Sequence, residues 1–296
     1  MKKDTPSRTA QYMALFRAIE SARSEKHRLF YDPYAVNFLD SRLKLVVKGS
    51  SIPIIGNIIS KIIERQAPGA FSSGVARTRY IDDLLKRTVD NGVKQVIILG
   101  AGFDTRSLRL KFLKNIPIIE IDHPDTAQFK INIINNSIDH IPENIKYYQI
   151  DFNQENLITL AKRENLDMGI PTTFIWEGVT NYLQQEAIDK TFEFVKKFSN
   201  KSYIIFTYIN KLVLDDPGAF QNTDKYHSIL DENEEKWTFG FNPQKLPDYL
   251  NKYNLTLIED IDAIQYRKQY MSERKNLLKG YEFYRVAFAS LTNKLC

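Results

Sequence analysis

The sequence predicts an α/β protein with a doubly wound, mostly parallel sheet, an antiparallel C-terminal edge and an N-terminal helical lid. Short apolar runs recur through the middle of the chain, at 95–99, 117–121, 146–150, 172–176 and 202–208. Stretches with helical spacing of apolar residues separate these runs, and strands that alternate with helices are typical of a parallel sheet covered on both faces. The last two candidate strands, 255–261 and 283–291, have no clear amphipathic helix between them, which predicts an antiparallel pair.

The first 73 residues predict a helical cap over the sheet. Residues 9–30 place apolar side chains at helical spacing, and residues 43–71 mix apolar residues with Gly and Pro, as in a helical hairpin or lid. The segment contains five closely spaced isoleucines, Ile52, Ile54, Ile55, Ile58 and Ile59. We expect them either to pack onto the sheet domain or to line a pocket for a hydrophobic ligand. We therefore divide the chain into a cap, 1–73, and a sheet domain, 74–296, with an insertion at about 211–245.

The composition excludes several classes of protein. A hydrophobic content of 43% over 296 residues suits one soluble unit with a buried core. The single cysteine, Cys296, excludes a disulfide framework or a cysteine-ligated metal, and the four histidines stand far apart, so we expect no metal site. Lys and Arg number 41 against 36 Asp and Glu. Because these basic residues are scattered, we expect no nucleic-acid partner.

The start of the chain and its most apolar stretch predict a cytoplasmic protein. The opening MKKDTPSRTA turns polar at once, unlike the apolar centre of a signal peptide. The stretch from Ile52 to Ile63 is interrupted by Pro53, Gly56 and Lys61, and it falls short of the roughly 20 apolar residues that a spanning helix needs. We therefore expect no stable association with a membrane.

A glycine turn follows the first strand directly. Gly100, Ala101 and Gly102 come after the apolar run that ends at Leu99, and glycines at this point let the backbone approach a ligand closely. Thr105 stands where a dinucleotide-binding turn has its third glycine, so this turn is poorly suited to bind the pyrophosphate of a dinucleotide. A glycine turn that closes a strand without any ligand is the alternative.

Carboxylates end the second, third and fourth strands. Asp122 lies 22 residues after Gly100, where a carboxylate accepts hydrogen bonds from a ribose diol, or else caps the next helix. Asp151 followed by Phe152 suits an adenine, and helix capping is again the alternative. Glu177 follows the fourth strand and needs a cationic or donor partner if it is buried. Together with the glycine turn, these carboxylates favour a nucleoside ligand.

These segments resemble the leucine carboxyl methyltransferase family. The resemblance rests on GVARTRYIDD, QVIILGAGFDTRSLRL, EIDHP, DF and FIWEGVTNYL, in this order, and covers roughly residues 9–209. The sequence is most similar to the bacterial branch of S-adenosylmethionine-dependent O-methyltransferases that is linked to polyketide-type substrates. The resemblance implies a Rossmann-like fold of the class I methyltransferase type, with S-adenosyl-L-methionine as the cofactor.

The same resemblance implies a role for each matching residue. Arg77 would clamp the carboxylate of the cofactor's methionine part, and Glu177 would face its ammonium group. The turn formed by Gly100, Ala101 and Gly102 would lie against the methionyl part. Asp122 would hold the ribose hydroxyls, and Asp151 and Phe152 would receive the adenine. Arg106 is expected to anchor the glycine turn rather than to touch the ligand.

The predicted reaction is methyl transfer to a carboxylate or hydroxyl oxygen of a small-molecule acceptor. A carboxylate is ionised at neutral pH and needs only alignment and desolvation, whereas a hydroxyl needs a general base. The candidates for that base are Tyr182 and His123; the plainer interpretation makes Tyr182 a wall of the pocket and His123 a turn residue. The alternatives to this function are an NAD(P)-dependent oxidoreductase and a non-catalytic relative that binds the cofactor.

Overall fold

The carboxyl ends of the parallel strands meet at one edge of a seven-stranded sheet. The computed structural model describes residues 8–150, 155–221, 236–272 and 280–292. The strands are β1 Gln95–Leu99, β2 Ile118–Asp122, β3 Ile145–Gln149, β4 Thr172–Trp176, β5 Tyr203–Ile209, β6 Leu255–Asp262 and β7 Tyr284–Leu291. They lie in the order β3-β2-β1-β4-β5-β7-β6, where β7 runs antiparallel to both β5 and β6 and the other neighbouring strands are parallel. The predicted α/β fold with an antiparallel C-terminal edge is confirmed.

The register of the strands places the predicted site residues next to one another. Leu99 pairs with Ile121, and Ile98 pairs with Ile175 on the other side of β1. The residues that follow these pairs, Gly100, Asp122 and Glu177, therefore emerge at the same edge of the sheet. Ligands of open α/β sheets bind at this edge.

Helices cover both faces of the sheet, as the apolar strands require. They are α1 Arg8–Ser21, α2 Ser41–Ser50, α3 Pro53–Gln66, α4 Ala70–Asp90, α5 Arg106–Arg109, α6 Pro124–Asn135, α7 Leu157–Arg163, α8 Gln185–Val195, α9 Leu212–Asp215, α10 Leu246–Asn251 and α11 Ala263–Met271. Val96 and Ile98 of β1 belong to the apolar cluster under α1 and α4, whereas Ile97 and Leu99 belong to the cluster under α7 and α8. This alternation explains why β1 is buried along its whole length.

Two details of the predicted helices are wrong. The segment between β6 and β7 contains α11, although the sequence showed no clear amphipathic helix there. A capping box starts it, in which Asp262 accepts from the amide of Gln265 and the Gln265 side chain accepts from the amide of Asp262. The N-terminal helix ends at Ser21 rather than near residue 30.

The N-terminal segment forms the predicted helical hairpin, made of α2 and α3. The next helix, α4, begins at Ala70, so the predicted boundary between 73 and 74 falls inside a helix. Of the predicted insertion at 211–245, residues 222–235 lie outside the described residues. None of the helices that the structure describes is long and apolar enough to cross a bilayer.

Candidate functional site

The glycine turn after β1 has a left-handed backbone at both glycines. Gly100 has φ 63° and Gly102 has φ 45°, a region that side chains disfavour. A Cβ atom on Gly100 would lie 2.5 Å from Cγ2 of Val179, whereas one on Gly102 would meet nothing closer than 3.9 Å. Gly100 is therefore required by packing. Gly102 instead leaves a stretch of backbone open to close approach.

Asp122 joins the end of β2 to this turn. Its Oδ2 accepts a hydrogen bond from the amide of Gly102, and its Oδ1 accepts one from the amide of His123 at 2.6 Å. Burial raises the pKa of Asp122 despite these two hydrogen bonds. Each carboxylate oxygen has a second lone pair that a ribose hydroxyl can use. Asp122 is not the N-cap of α6, since that position belongs to His123.

His123 caps α6 with its ring. Its Nδ1 accepts from the amide of Asp125 at 3.4 Å, and the side chain is 40% exposed. The contact corresponds to the plainer of the two interpretations of the sequence, a turn residue satisfied by the backbone.

Glu177 lies between two arginines at the end of β4. Its Oε1 accepts from Nε of Arg77 and its Oε2 accepts from Nη1 of Arg106, both at 2.8 Å. Burial alone would raise the pKa of Glu177, but the charges of Arg106 and Arg77 outweigh it and lower that pKa. The guanidinium of Arg77 also lies over the ring of Tyr284, 4.6 Å from its centroid. Glu177 is therefore ionised and held from two sides.

This pair belongs to a larger network of buried charges that supports the turn. Arg106 also binds Asp104 and Asp82, at 2.5 and 2.8 Å, and Asp82 is shared with Arg109. The network as a whole has four arginines and four carboxylates, each with a side chain at most 16% exposed, and these are Arg17, Arg77, Arg106, Arg109, Asp32, Asp82, Asp104 and Glu177. Its charges balance, and Arg106 alone pairs with three of its carboxylates, Asp82, Asp104 and Glu177.

Arg17 ties the N-terminal helix to the same turn. Its Nη2 donates to the carbonyl of Phe103 at 2.6 Å, and its Nε donates to Asp32 at 2.9 Å. Asp32 in turn accepts from Oγ1 of Thr105 at 2.6 Å. Thr105, which replaces the third glycine of a dinucleotide-binding turn, thus fastens the turn to the cap. No role for the partners Asp32, Asp82 and Arg109 was predicted from the sequence, although Asp82 and Arg109 lie within the motifs of the family.

The segment after Glu177 leaves a second stretch of open backbone. Gly178 has φ 73°, and a Cβ atom there would meet nothing within 4 Å. Tyr182 ends the 3-10 turn Thr180–Tyr182 and is half-buried. Before it, Asn181 is buried, and its Oδ1 has no hydrogen-bond partner among the described residues.

Two of the predicted site residues, Asp151 and Phe152, lie outside the described residues. Their assignment to an adenine therefore stays a prediction from the sequence. Among the residues that the structure does describe, no group of three or more His, Cys, Asp or Glu side chains could hold a metal ion.

Comparisons with known proteins give the same family as the motifs. The profile of the leucine carboxyl methyltransferase family matches residues 10–196. A protein of Streptomyces coelicolor, provisionally named an S-adenosyl-L-methionine-dependent methyltransferase, is 33% identical over 183 residues, which is 61% of this chain and 61% of that relative. A similarly named protein of Bacillus subtilis is 26% identical and covers 95% of this chain and 97% of its own length.

A solved structure shows the same fold. The crystal structure of a provisionally named methyltransferase from Thermobifida fusca covers 99% of this chain and 97% of its own, with a TM-score of 0.60. The two sequences are only 13% identical, so the similarity extends to the fold, which is that of class I methyltransferases.

Proposed function

The chain belongs to the leucine carboxyl methyltransferase family, and we propose that it is an S-adenosylmethionine-dependent O-methyltransferase acting on a small-molecule acceptor in the cytoplasm. Its relatives are named S-adenosyl-L-methionine-dependent methyltransferases. Membership of this family favours S-adenosylmethionine as the cofactor over the nicotinamide cofactor of the oxidoreductase alternative.

The contact that carries the proposal is the one between Asp122 and Gly102. A carboxylate at the end of β2 is fixed by a backbone amide of the turn after β1, which orients its remaining lone pairs. The backbone beside it is open at Gly102, and it is open again at Gly178 after β4. An acceptor of diol hydrogen bonds next to accessible backbone suits a ribose that lies across the edge of the sheet.

The ion pair of Arg77 and Glu177 suits the amino-acid end of the cofactor. That end is a zwitterion, so its carboxylate complements a guanidinium and its ammonium complements a carboxylate. Arg77 contacts its described neighbours through Nε and Nη2. Glu177 keeps its charge because Arg106 holds its second oxygen. In our proposal both residues bind the cofactor while Arg106 keeps them in place.

The bound cofactor supplies a methyl group on a sulfonium, which an oxygen nucleophile can displace in line. The chain's part is then to align the acceptor and to exclude water, and an ionised carboxylate acceptor needs nothing further. Of the two general-base candidates, His123 fits this poorly, because its ring accepts from the amide of Asp125 in its capping contact. We assign Tyr182, which is half-buried, to the wall of the acceptor pocket, and we favour carboxyl methylation, which needs no base, over hydroxyl methylation.

Calorimetric titration with S-adenosylmethionine, S-adenosylhomocysteine, NADH and NADPH tests the cofactor. We expect micromolar binding of the first two and no heat from the nicotinamides; binding of a nicotinamide alone would overturn the proposal. A panel of carboxylic acids and matched alcohols then tests the reaction, read as formation of S-adenosylhomocysteine. Turnover only with the alcohols would contradict carboxyl methylation, and cofactor binding without turnover on any acceptor favours the non-catalytic alternative.

A further inference from the structure

The hairpin of α2 and α3 carries an apolar face that no described residue covers. Ten large apolar side chains are exposed among the described residues, and six of them lie within residues 41–66. These six are Leu45, Ile52, Ile54, Ile55, Ile58 and Ile62, with exposures from 40% to 73%. We call them the outer face of the hairpin. Such a concentration of exposed aliphatic side chains marks an interaction surface.

The exposed isoleucines of α3 form a stripe along one side of the helix. Ile54, Ile58 and Ile62 recur every four residues on one side of the helix. The opposite side packs inward, since Gly56 and Ser60 are buried and a Cβ atom on Gly56 would lie 2.5 Å from the carbonyl oxygen of Ser50. An amphipathic helix normally turns its apolar stripe to the core. In α3, Ile59 and Ile63 pack against the core, while a second apolar stripe remains exposed.

The hairpin is firmly attached to the rest of the protein. Nη2 of Arg23, just after α1, donates to Oγ of Ser60 at 3.1 Å. The carboxylate of Glu64 accepts from the amides of Gly69 and Ser72, at 2.6 and 2.7 Å, at the start of α4. The outer face therefore does not result from a detached hairpin.

Positive charge surrounds the outer face. Residues 41–66 contain Arg42, Lys44, Lys48, Lys61 and Arg65, all of them exposed, against one acidic residue, Glu64. Because the carboxylate of Glu64 is turned inward to backbone amides, the exposed charge of the hairpin is entirely basic. The net charge of this segment is thus +4, out of +5 for the whole chain.

We propose that the outer face docks reversibly on the surface of an anionic phospholipid bilayer. Aliphatic side chains would enter the boundary between headgroups and acyl chains, and the surrounding lysines and arginines would contact the lipid phosphates. The docking needs no spanning segment. It differs from the expectation of no stable association with a membrane, which was based on the interrupted apolar stretch from Ile52 to Ile63.

Charge and composition disfavour the other occupants of this face. A second copy in a symmetric dimer would bring the same basic ring against itself, and like charges across an interface are costly. Segment 41–66 contains no Trp, Tyr or Phe, whereas the central residues of protein interfaces are enriched in aromatics. An anionic lipid surface instead carries the charge that complements the basic residues around the outer face.

Cosedimentation with vesicles of phosphatidylcholine, with and without phosphatidylglycerol, tests the proposal. We expect binding only to the anionic vesicles, and about tenfold weaker binding for Ile54→Ser/Ile58→Ser. The control is Leu212→Ser/Ile258→Ser, which removes two exposed aliphatic side chains elsewhere on the surface, 47% and 46% exposed. It should bind as the unaltered protein does. Thermal melting checks that both variants remain folded.

A second pair of variants tests the charge. Lys44→Gln/Lys48→Gln and added salt should both weaken binding to anionic vesicles, whereas Lys201→Gln/Lys245→Gln, also at exposed positions, should not. Absence of binding to anionic vesicles, or equal loss in the control variants, would overturn the proposal. So would a dimer that Ile54→Ser/Ile58→Ser converts to a monomer without any vesicle binding, because a second copy would then cover the face.

Discussion

Arg77 and Glu177, a hundred residues apart in the chain, form an ion pair of 2.8 Å at the edge of the sheet. The pair joins the middle of α4 to the end of β4, and both side chains are largely buried. Glu177 has a second partner in Arg106, at 2.8 Å. Removal of Arg77 therefore does not leave an unpaired buried carboxylate. Loss of ligand binding and loss of folding can thus be separated at Arg77.

We expect Arg77→Ala to weaken binding of S-adenosylhomocysteine by one to two orders of magnitude, because charged hydrogen bonds contribute roughly 1.5–3 kcal/mol. Calorimetry measures the affinity, and thermal melting measures stability. Arg79→Ala is the control: Arg79 is on the same helix but is 42% exposed and pairs with Asp83. If Arg77→Ala melts as a folded protein and binds with unchanged affinity, Arg77 does not belong to the site.

Asp122→Ala should remove the preference for an intact ribose. The unaltered protein should bind S-adenosylhomocysteine about tenfold or more tightly than its analogue lacking the 2′-hydroxyl, since a carboxylate accepts that hydrogen bond. The variant should bind the two compounds equally. Asp125→Ala, three residues on and 56% exposed, should keep the preference. If Asp122→Ala still binds S-adenosylhomocysteine more tightly than the analogue, to the same degree as the unaltered protein, then Asp122 only supports the glycine turn.

The central sheet could be predicted closely from the sequence because its strands are continuous apolar runs between breakers. The prediction for 172–176 matches β4 residue for residue, and the predicted start of β6 at residue 255 is correct. Helix α11 was missed for a physical reason. Its buried side includes Arg267, which is fully buried and donates to backbone carbonyls of Ala263 and Gly280. Because a charged residue occupies this inward position, the helical spacing of apolar residues is interrupted in α11.

Of the candidate site, only the residues that directly follow strands could be predicted from the sequence. Glycines and carboxylates that directly follow strands must lie at one edge, so Gly100, Asp122 and Glu177 were identified as neighbours. The ion pairs depend instead on how distant helices approach one another. Asp82 bonds with Arg106 and Arg109, which lie 24 and 27 residues further along the chain. Local pattern carries no information about such contacts.

Asp104 should stabilise the protein less as the pH falls. The charges of Arg106 and Lys130 and the hydrogen bond from the amide of Arg106 outweigh burial and lower the pKa of Asp104 to about 2, from 3.8. Because the folded carboxylate stays ionised where the unfolded one is protonated, it contributes about 2 kcal/mol above pH 4. This contribution is lost between about pH 4 and pH 2. Asp104→Asn should therefore be less stable than the unaltered protein at pH 6, with a difference that narrows towards pH 3.

Denaturant unfolding at several pH values measures that difference. Asp139→Asn is the control, because Asp139 is exposed, and its effect on stability should be small. A difference for Asp104→Asn that stays constant from pH 6 to pH 3 would show that Asp104 is not held in its ionised form by Arg106.

Lys130 and Glu120 form a buried ion pair, in which Glu120 also accepts from Ser107, and this pair should be sensitive to loss of one partner. Nζ of Lys130 lies 2.5 Å from Oε2 of Glu120, and both side chains are at most 2% exposed. Lys130→Met should lower the free energy of unfolding by about 3–5 kcal/mol because it leaves an unpaired buried charge. Glu120→Gln/Lys130→Met should recover part of this loss. Lys86→Met, in the exposed pair with Asp90, should cost less than about 1 kcal/mol.

The pH dependence of Lys130→Met gives an independent check. Burial already raises the pKa of Glu120, and loss of the lysine raises it further. The folded variant then takes up a proton at a pH where the unfolded chain has not, so its stability should rise as the pH falls towards that pKa. A double variant as unstable as Lys130→Met, with no such rise, would show that the loss comes from packing rather than charge.

The two glycines of the turn should respond differently to a methyl group. Gly100→Ala should lower the free energy of unfolding by about 3 kcal/mol, since it combines a left-handed backbone with a Cβ atom 2.5 Å from Val179. Gly102→Ala should cost only about 1 kcal/mol, because its Cβ atom enters open space.

Gly102→Ala should nevertheless abolish binding of S-adenosylhomocysteine, because that space is where the ligand approaches the backbone. Gly92→Ala, also left-handed and open but beyond the end of α4, is the matched control for stability. If Gly102→Ala and Gly92→Ala bind the ligand equally well, the open backbone at Gly102 does not face the cofactor.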